Sequence, residues 1–103
     1  MSEFKIPKRF KLLGHTIKVT EDPERYYNGN SYGACSYEGK WLKLVPPNPS
    51  HPVTQSSLEH TFLHELVHFV LYHTEQHKLG ENEAFVDLVA GLLHQALTTM
   101  EYE

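Results

Sequence analysis

Four prolines between residues 46 and 52 divide this chain of 103 residues into two parts with different periodicities. The segment Pro46-Pro47-Asn48-Pro49-Ser50-His51-Pro52 is unable to continue a strand or a helix, because proline lacks the backbone N–H that both require. The prolines therefore link a sheet-forming part to a helical part. A chain of this length has room for one domain, residues 1–103, with one core and one site.

The residues before the prolines are typical of short strands. Thr16–Thr20 alternate between polar and apolar side chains, which predicts a half-buried strand. Phe10–Leu13 is expected to pair with this strand through Gly14-His15, where Gly14 would supply a positive φ. Residues 32–37 and 40–45 flank a two-residue turn and predict a second β-hairpin. Residues 21–30 predict a loop.

The residues after the prolines predict two helices. No glycine or proline interrupts residues 58–77, and Ser56 followed by Glu59 fits a capping box at the helix start. Gly80 is a good terminator, and a second apolar helix is expected from about residue 81 or 82 to about residue 100. We expect both helices to be buried against each other and against one face of the sheet. The predicted class is α+β, with a small, mainly antiparallel sheet of three or four strands on two long helices.

The amino-acid composition limits which partners and which cellular location are expected for this protein. Nine basic and thirteen acidic residues give a net charge of −4, which disfavours nucleic acid as the main partner. No apolar run is long enough for a membrane span, so no membrane partner is expected. The single cysteine, Cys35, excludes an internal disulfide, and a reducing cytoplasmic location is expected. The sequence gives no indication of an oligomeric state.

The first predicted helix contains the motif His64-Glu65-Leu66-Val67-His68. Residues i and i+4 lie on one helix face, so both imidazoles can reach one ion. Zinc accepts histidine nitrogen and prefers four ligands, and the glutamate of this motif acts as a general base beside the attacking water. Two histidines and a glutamate inside an apolar helix would be costly to bury without a shared partner. The motif therefore predicts one zinc ion per chain, bound by His64 and His68, with Glu65 as the base.

The second predicted helix begins with Asn82-Glu83-Ala84-Phe85-Val86-Asp87. Together with the first motif, this segment resembles the gluzincin signature of thermolysin-like metallopeptidases. The resemblance implies that Glu83 is the third zinc ligand and that Asp87 hydrogen-bonds His64. A carboxylate in that position fixes the histidine tautomer and raises its basicity. A first-turn glutamate favoured by the helix dipole is the structural alternative for Glu83.

A second resemblance covers more of the chain. The strand-like segments 33–37 and 41–45, the proline-rich link and the zinc-motif helix resemble the minimal zincin cores of SprT-like and ImmA/IrrE-like proteins. These are small sheet-plus-helix metallopeptidase domains, common in bacteria and phages. The third histidine of a His-Gly segment, usual in SprT-like proteins, is absent here. Glu83-Ala84 followed by Leu92-Leu93 is more similar to the ImmA/IrrE pattern.

These observations predict a zinc metallopeptidase that cleaves a protein or peptide substrate. The alternative is a zinc-stabilised binding module without catalysis, since a metal can stabilise a small core. Glu65 favours the enzyme, because a structural zinc site needs no base. A third interpretation, a nucleic-acid-associated factor similar to SprT-like proteins, is disfavoured by the net charge and by the confinement of the basic cluster to residues 5–18.

The remaining candidates are expected to be structural. His60 shares the face of His64 and is expected at the surface, with pocket lining as the alternative; His94 is expected to be structural, because it lies far along the helix from Glu83. Cys35 is expected to pack in a strand. Tyr32, Tyr37 and Tyr72 are candidate oxyanion donors, with core or rim packing as the expected role of each. His15, His51 and His77 are expected at the surface, and His73 is a candidate for a position near the site.

Overall fold

Four strands come first along the chain, and three helices follow them. A computed structural model of the chain describes residues 4–22, 32–47 and 52–102. Its elements are β1 (Arg9–Leu12), β2 (His15–Glu21), β3 (Gly33–Ser36), β4 (Trp41–Leu44), α1 (Gln55–His73), α2 (His77–Gly80) and α3 (Glu83–Thr99). The predicted α+β class is confirmed. The predicted loop and the proline link lie largely outside the described residues.

The sheet has the strand order β1-β2-β4-β3. The pairs β1/β2 and β3/β4 are antiparallel, as the two predicted hairpins require, and the central pair β2/β4 is parallel. The first turn lies at Leu13-Gly14, one residue earlier than predicted, and both residues have positive φ, 50° and 82°. Two consecutive positive φ values are typical of a type I′ turn, which matches the twist of a hairpin. Strand β3 lies at one edge of the sheet.

One face of the sheet packs against α1. Ile17, Leu42 and Leu44 from the sheet are buried with Phe62 and Phe69 from the helix. Alternation along each strand sends every second side chain toward this core. The side chains between them, on the outer face of β1 and β2, are exposed.

Helix α1 starts and ends at different residues from those predicted. Its N-cap is Thr54, whose side chain accepts a hydrogen bond from the Ser57 N–H at 3.0 Å. The predicted capping box of Ser56 and Glu59 is therefore wrong. The helix ends at His73, before the predicted end, because Glu75 has a φ of 61° that a right-handed helix does not allow.

Helix α3 has nearly the predicted bounds but a different environment. Its N-cap is Asn82, which accepts from the Phe85 N–H at 3.1 Å. Only Val86 and Ala90 of this helix are buried. The side chains of Leu88 and Leu92 remain 61% and 58% exposed. The expected burial is thus confirmed for α1 and wrong for α3. One face of α3 packs on α1, and its other apolar face is covered by no described residue.

A polar contact joins α1 and α3 at the end remote from Asn82. His94 Nε2 lies 2.7 Å from Glu59 Oε1, and Gln55 Nε2 donates to the other carboxylate oxygen at 3.1 Å. Both partners of the ion pair are mostly buried, with side-chain exposures of 17% and 11%. Glu59 therefore turns inward to hold α3 rather than capping α1. The structural role expected for His94 agrees with this contact.

The start of β3 approaches α1 closely. A Cβ atom at Gly33 would lie 2.6 Å from Thr61 Cγ2 and 3.4 Å from Glu65 Oε2. Real Cβ atoms do not come that close, so only glycine allows the strand to rest on the helix here. No helix in the described part of the chain has the length and apolar character that a membrane span demands.

We expect Gly33→Ala to destabilise the fold by about 1–3 kcal/mol, because β3 must move away from the branched Thr61 side chain. The matched control is Gly91→Ala in α3, whose new Cβ would be no closer than 3.8 Å to His60. Alanine is the better helix former by about 1 kcal/mol, so this variant should be more stable. Urea unfolding gives the free energy of unfolding of both variants. An equal change in both would contradict the close contact between Gly33 and Thr61.

We expect His94→Ala to destabilise the fold by about 1–3 kcal/mol, because the buried Glu59 carboxylate would lose its hydrogen-bond partner on α3. Gln95→Ala, at the exposed neighbouring position, should change the free energy of unfolding by less than about 0.5 kcal/mol. Thermal unfolding at neutral pH compares the two. If His94→Ala loses no more stability than Gln95→Ala, the contact between His94 and Glu59 does not hold α3 on α1.

Candidate metal centre

Three side chains from two helices converge at one point. His64 and His68 project from successive turns of α1, and Glu83 projects from the first turn of α3. Glu83 Oε1 lies 2.9 Å from His64 Nε2, and Glu83 Oε2 lies 3.3 Å from His68 Nε2. One ligand atom from each of these residues lies within 4.8 Å of the other two. The group can hold a metal ion.

The spacing of these atoms fits a small four-coordinate ion. Bonds of about 2.0–2.1 Å at tetrahedral angles place neighbouring ligand atoms about 3.3 Å apart. The two nitrogen–oxygen distances of 2.9 and 3.3 Å are close to that value. Two imidazole nitrogens and one carboxylate oxygen would occupy three positions and leave the fourth for water or substrate. The two distances involve different oxygens of Glu83, and the donor atoms lie close enough together for this group to hold one metal ion.

Asp87 contacts His64 from the side opposite to Glu83. Its Oδ1 atom lies 3.2 Å from His64 Nδ1. When Nδ1 carries the proton and donates it to this carboxylate, the lone pair of Nε2 points toward Glu83 and His68. Asp87 thus holds the imidazole in the orientation that a metal ligand needs. It lies one turn after Glu83 on the same face of α3, as their spacing of four residues requires.

His60 contacts the same carboxylate, which the sequence did not lead us to expect. Its Nε2 atom lies 3.4 Å from Asp87 Oδ1 and 3.3 Å from the Asp87 carbonyl oxygen. His60, with 35% of its side chain exposed, thus lines the open cavity, which is the alternative that the sequence left open. The i, i+4 relation to His64 was the available signal, but it does not reveal a partner on another helix.

Glu65 lies against strand β3 with only 8% of its surface exposed. Tyr37 donates a hydrogen bond to the Cys35 sulfur, and the Cys35 thiol donates to the Glu65 carboxylate. Burial raises the pKa of Glu65 above its usual range, and the hydrogen bond from Cys35 opposes that rise. Burial also raises the pKa of Tyr37 to about 12 and that of Cys35 well above its usual range. Cys35 is therefore a protonated donor to Glu65, a role beyond the strand packing expected for it.

The side chains surround an open cavity of about 400 Å³. His60, His64, Glu65, His68, Glu83 and Asp87 line it together with Tyr32, Gly33, Ser57 and Thr61. Tyr32 and Gly33, at the start of β3, thus line one side of the cavity, and the candidate metal donors line the other. Tyr32 is the one tyrosine of the three candidates that faces this cavity.

The other candidates lie elsewhere. Tyr37 and Tyr72 stack on each other with ring centroids 4.1 Å apart, and His15 stacks on His73 at 5.8 Å. His77 is exposed and touches the Tyr72 ring. These side chains form an aromatic cluster beside the metal centre. His51 lies outside the described residues.

Comparisons of this chain with family models, curated proteins and solved structures found no match. The arrangement of the site therefore has to be interpreted from its own geometry.

We expect Glu83→Gln to weaken divalent metal binding strongly, because it removes the charged donor from α3. Glu81→Gln is the matched control, since Glu81 lies before the helix and outside the donor group. Asp87→Asn should weaken binding about 10–100-fold through the orientation of His64. Calorimetric titration with Zn²⁺ and Co²⁺ measures all three. If Glu83→Gln binds the metal with unchanged affinity, another residue must be the third ligand.

Proposed function

We propose that this protein is a zinc-dependent metallohydrolase, and specifically a peptidase. The observation that carries the proposal is the convergence of His64, His68 and Glu83 with the carboxylate of Glu65 beside them in one cavity. The zincin-like assignment made from the sequence stays part of this proposal. The single cysteine and its high pKa are compatible with the reducing cytoplasm that we propose as the location.

Zinc is the proposed ion because of the donor set. Two imidazoles and one carboxylate are the ligands of many catalytic zinc sites, with one position left for water or substrate. When bound, zinc polarises a carbonyl group and lowers the pKa of a water molecule to about 7. One ion per chain is expected.

Glu65 is the proposed general base. It follows His64 directly, so it points about 100° round the helix from that ligand and lines the cavity without joining the donor group. Its carboxylate would take a proton from the water whose oxygen attacks the carbonyl carbon. The same proton then passes to the nitrogen of the leaving amine as the carbon–nitrogen bond breaks. Its raised pKa favours this acceptor role.

The shape of the site favours an extended peptide as the substrate. Strand β3 lies at the sheet edge, and its first residue, Gly33, lines the cavity. A peptide added to this edge as a further strand would pass directly over the metal donors. A second cavity of about 250 Å³ lies on the other side of His68, bordered by Tyr37, Tyr72, His77 and Glu81. It offers room for a substrate side chain next to the cleaved bond.

The rival function is a zinc-stabilised binding module. Such a module has no use for a largely buried carboxylate beside the donors, where burial costs free energy. Glu65 therefore distinguishes the two functions both chemically and experimentally.

We expect Glu65→Gln to bind zinc with normal affinity and to lose about 10²–10⁴-fold in peptidase turnover, because the amide cannot accept the water's proton. Zinc content by elemental analysis and cleavage of an unbiased peptide library by mass spectrometry measure the two properties.

His64→Ala is the companion variant and should lose both the metal and the activity. If Glu65→Gln keeps full cellular function while His64→Ala abolishes it, the protein is a metal-stabilised binding module and not an enzyme. Absence of metal in the wild-type protein, purified without chelators, would contradict the zinc proposal itself.

A further inference from the structure

We propose that the outer face of the sheet binds single-stranded nucleic acid. The strand registers align two rows of side chains across this face. Arg9 pairs with Lys18, Lys18 with Trp41, and Trp41 with Ser36; in the next row Thr20 pairs with Lys43. Lys11, opposite Thr16, continues the basic side chains along β1. We call Arg9, Lys11, Lys18, Trp41 and Lys43 the basic sheet face.

The alternation of the strands places this set opposite the core. Phe10, Ile17 and Leu42, one residue away along each strand, contact the core that packs on α1. Arg9, Lys11 and Lys18 are exposed, and Trp41 and Lys43 are half-buried. The basic sheet face therefore lies on the side of the sheet away from the helices that hold the candidate metal centre.

The positive charges on this face are not neutralised by neighbouring carboxylates. Across the described ranges, each ion pair joins a histidine to a carboxylate, and none involves a lysine or an arginine. Lys43 instead places its ammonium group 4.5 Å from the centre of the Trp41 ring. Uncompensated cations on an open surface are available to phosphate groups.

The net charge of −4 does not reveal that the positive charges are concentrated in the first part of the chain. Residues 1–47 contain eight of the nine basic residues and five acidic ones, which gives +3. Residues 52–103 contain one basic and eight acidic residues, which gives −7. The composition argument against nucleic acid therefore averaged two parts of the chain with opposite net charge. The proposal therefore departs from the sequence-based expectation of no nucleic-acid partner, which rested on the summed charge.

The chemistry of the face fits a single strand. Its cations would follow the phosphates, and Trp41 offers an aromatic ring for a base to stack on. The hydroxyl groups of Thr16, Thr20 and Ser36 add hydrogen-bonding groups between them. Four strands spaced about 4.8 Å apart give a face about 15 Å wide, comparable with a few nucleotides. A membrane surface would need inserted apolar side chains, and Trp41 is the only large one in this set.

The test uses the full chain and an oligonucleotide of about twenty nucleotides, dT or rU. Trp41 is the sole tryptophan, so quenching of its fluorescence reports contact at this face, and anisotropy of a labelled oligonucleotide reports the affinity. We expect micromolar affinity that falls with salt, with a slope of about −0.7 per phosphate contact. Trp41→Phe should retain most of the affinity, and Trp41→Ala should lose about tenfold.

Lys18→Glu and Lys78→Glu form a matched pair, because they change the net charge equally and Lys78 is the one basic residue outside the sheet part. Lys18→Glu should weaken binding about tenfold, and Lys78→Glu less than twofold. Absence of quenching and of anisotropy change at about 100 µM protein would overturn the proposal. Equal losses in both variants, or binding to phosphatidylserine vesicles without binding to either oligonucleotide, would overturn it too. None of these outcomes depends on zinc or on peptidase activity.

Discussion

The packing of α3 against α1 through polar side chains is the interaction on which the site depends. The two helices run in opposite directions, and their facing side chains form successive polar contacts. Glu83 meets His64 and His68 at one end, Asp87 meets His64 and His60 in the middle, and His94 meets Glu59 at the other end. Between the last two contacts lies Gly91, close to the His60 ring. A shift of α3 by one turn would break all of them together.

These contacts explain how histidines are accommodated in a helix that is mostly buried. A buried polar group costs free energy unless it is hydrogen-bonded, and His60 and His64 of α1 each have a carboxylate partner on α3. The acids lie on α3 near the metal centre, whereas at the remote end Glu59 lies on α1 and the histidine on α3. The remote contact holds the helix, and the near contacts orient the donors.

Local patterns allowed a large part of the structure to be predicted. The i, i+4 spacing of His64 and His68, the two hairpins and the start of α3 near residue 82 are set by residues close in sequence. Other features depend on residues far apart. Glu59, which the capping box would have required at the start of α1, instead contacts His94 on α3. The parallel pairing of β2 with β4 and the role of His60 also require a partner that periodicity does not reveal.

The same limit applies to charge and burial. Summed composition gives −4, but only the strand registers show that the basic side chains share one face. The apolar pattern of α3 predicted burial against both α1 and the sheet, yet in α3 only Val86 and Ala90 are buried. Periodicity shows that a side chain is apolar and where it lies on the helix. It does not show whether another element is present to cover it.

If the group binds a metal ion as proposed, the division of its donors between two helices would link metal concentration to the docking of α3 on α1. Two donors belong to α1, whose side chains are embedded in the core, and the third belongs to α3, which is held from one side only. A ligand that binds only the docked state stabilises that state by mass action, in proportion to the logarithm of its free concentration. The free metal concentration of the surrounding solution would therefore set how stably α3 docks on α1. In a medium poor in metal, α3 would then be the first long helix to detach, and the third donor would leave with it.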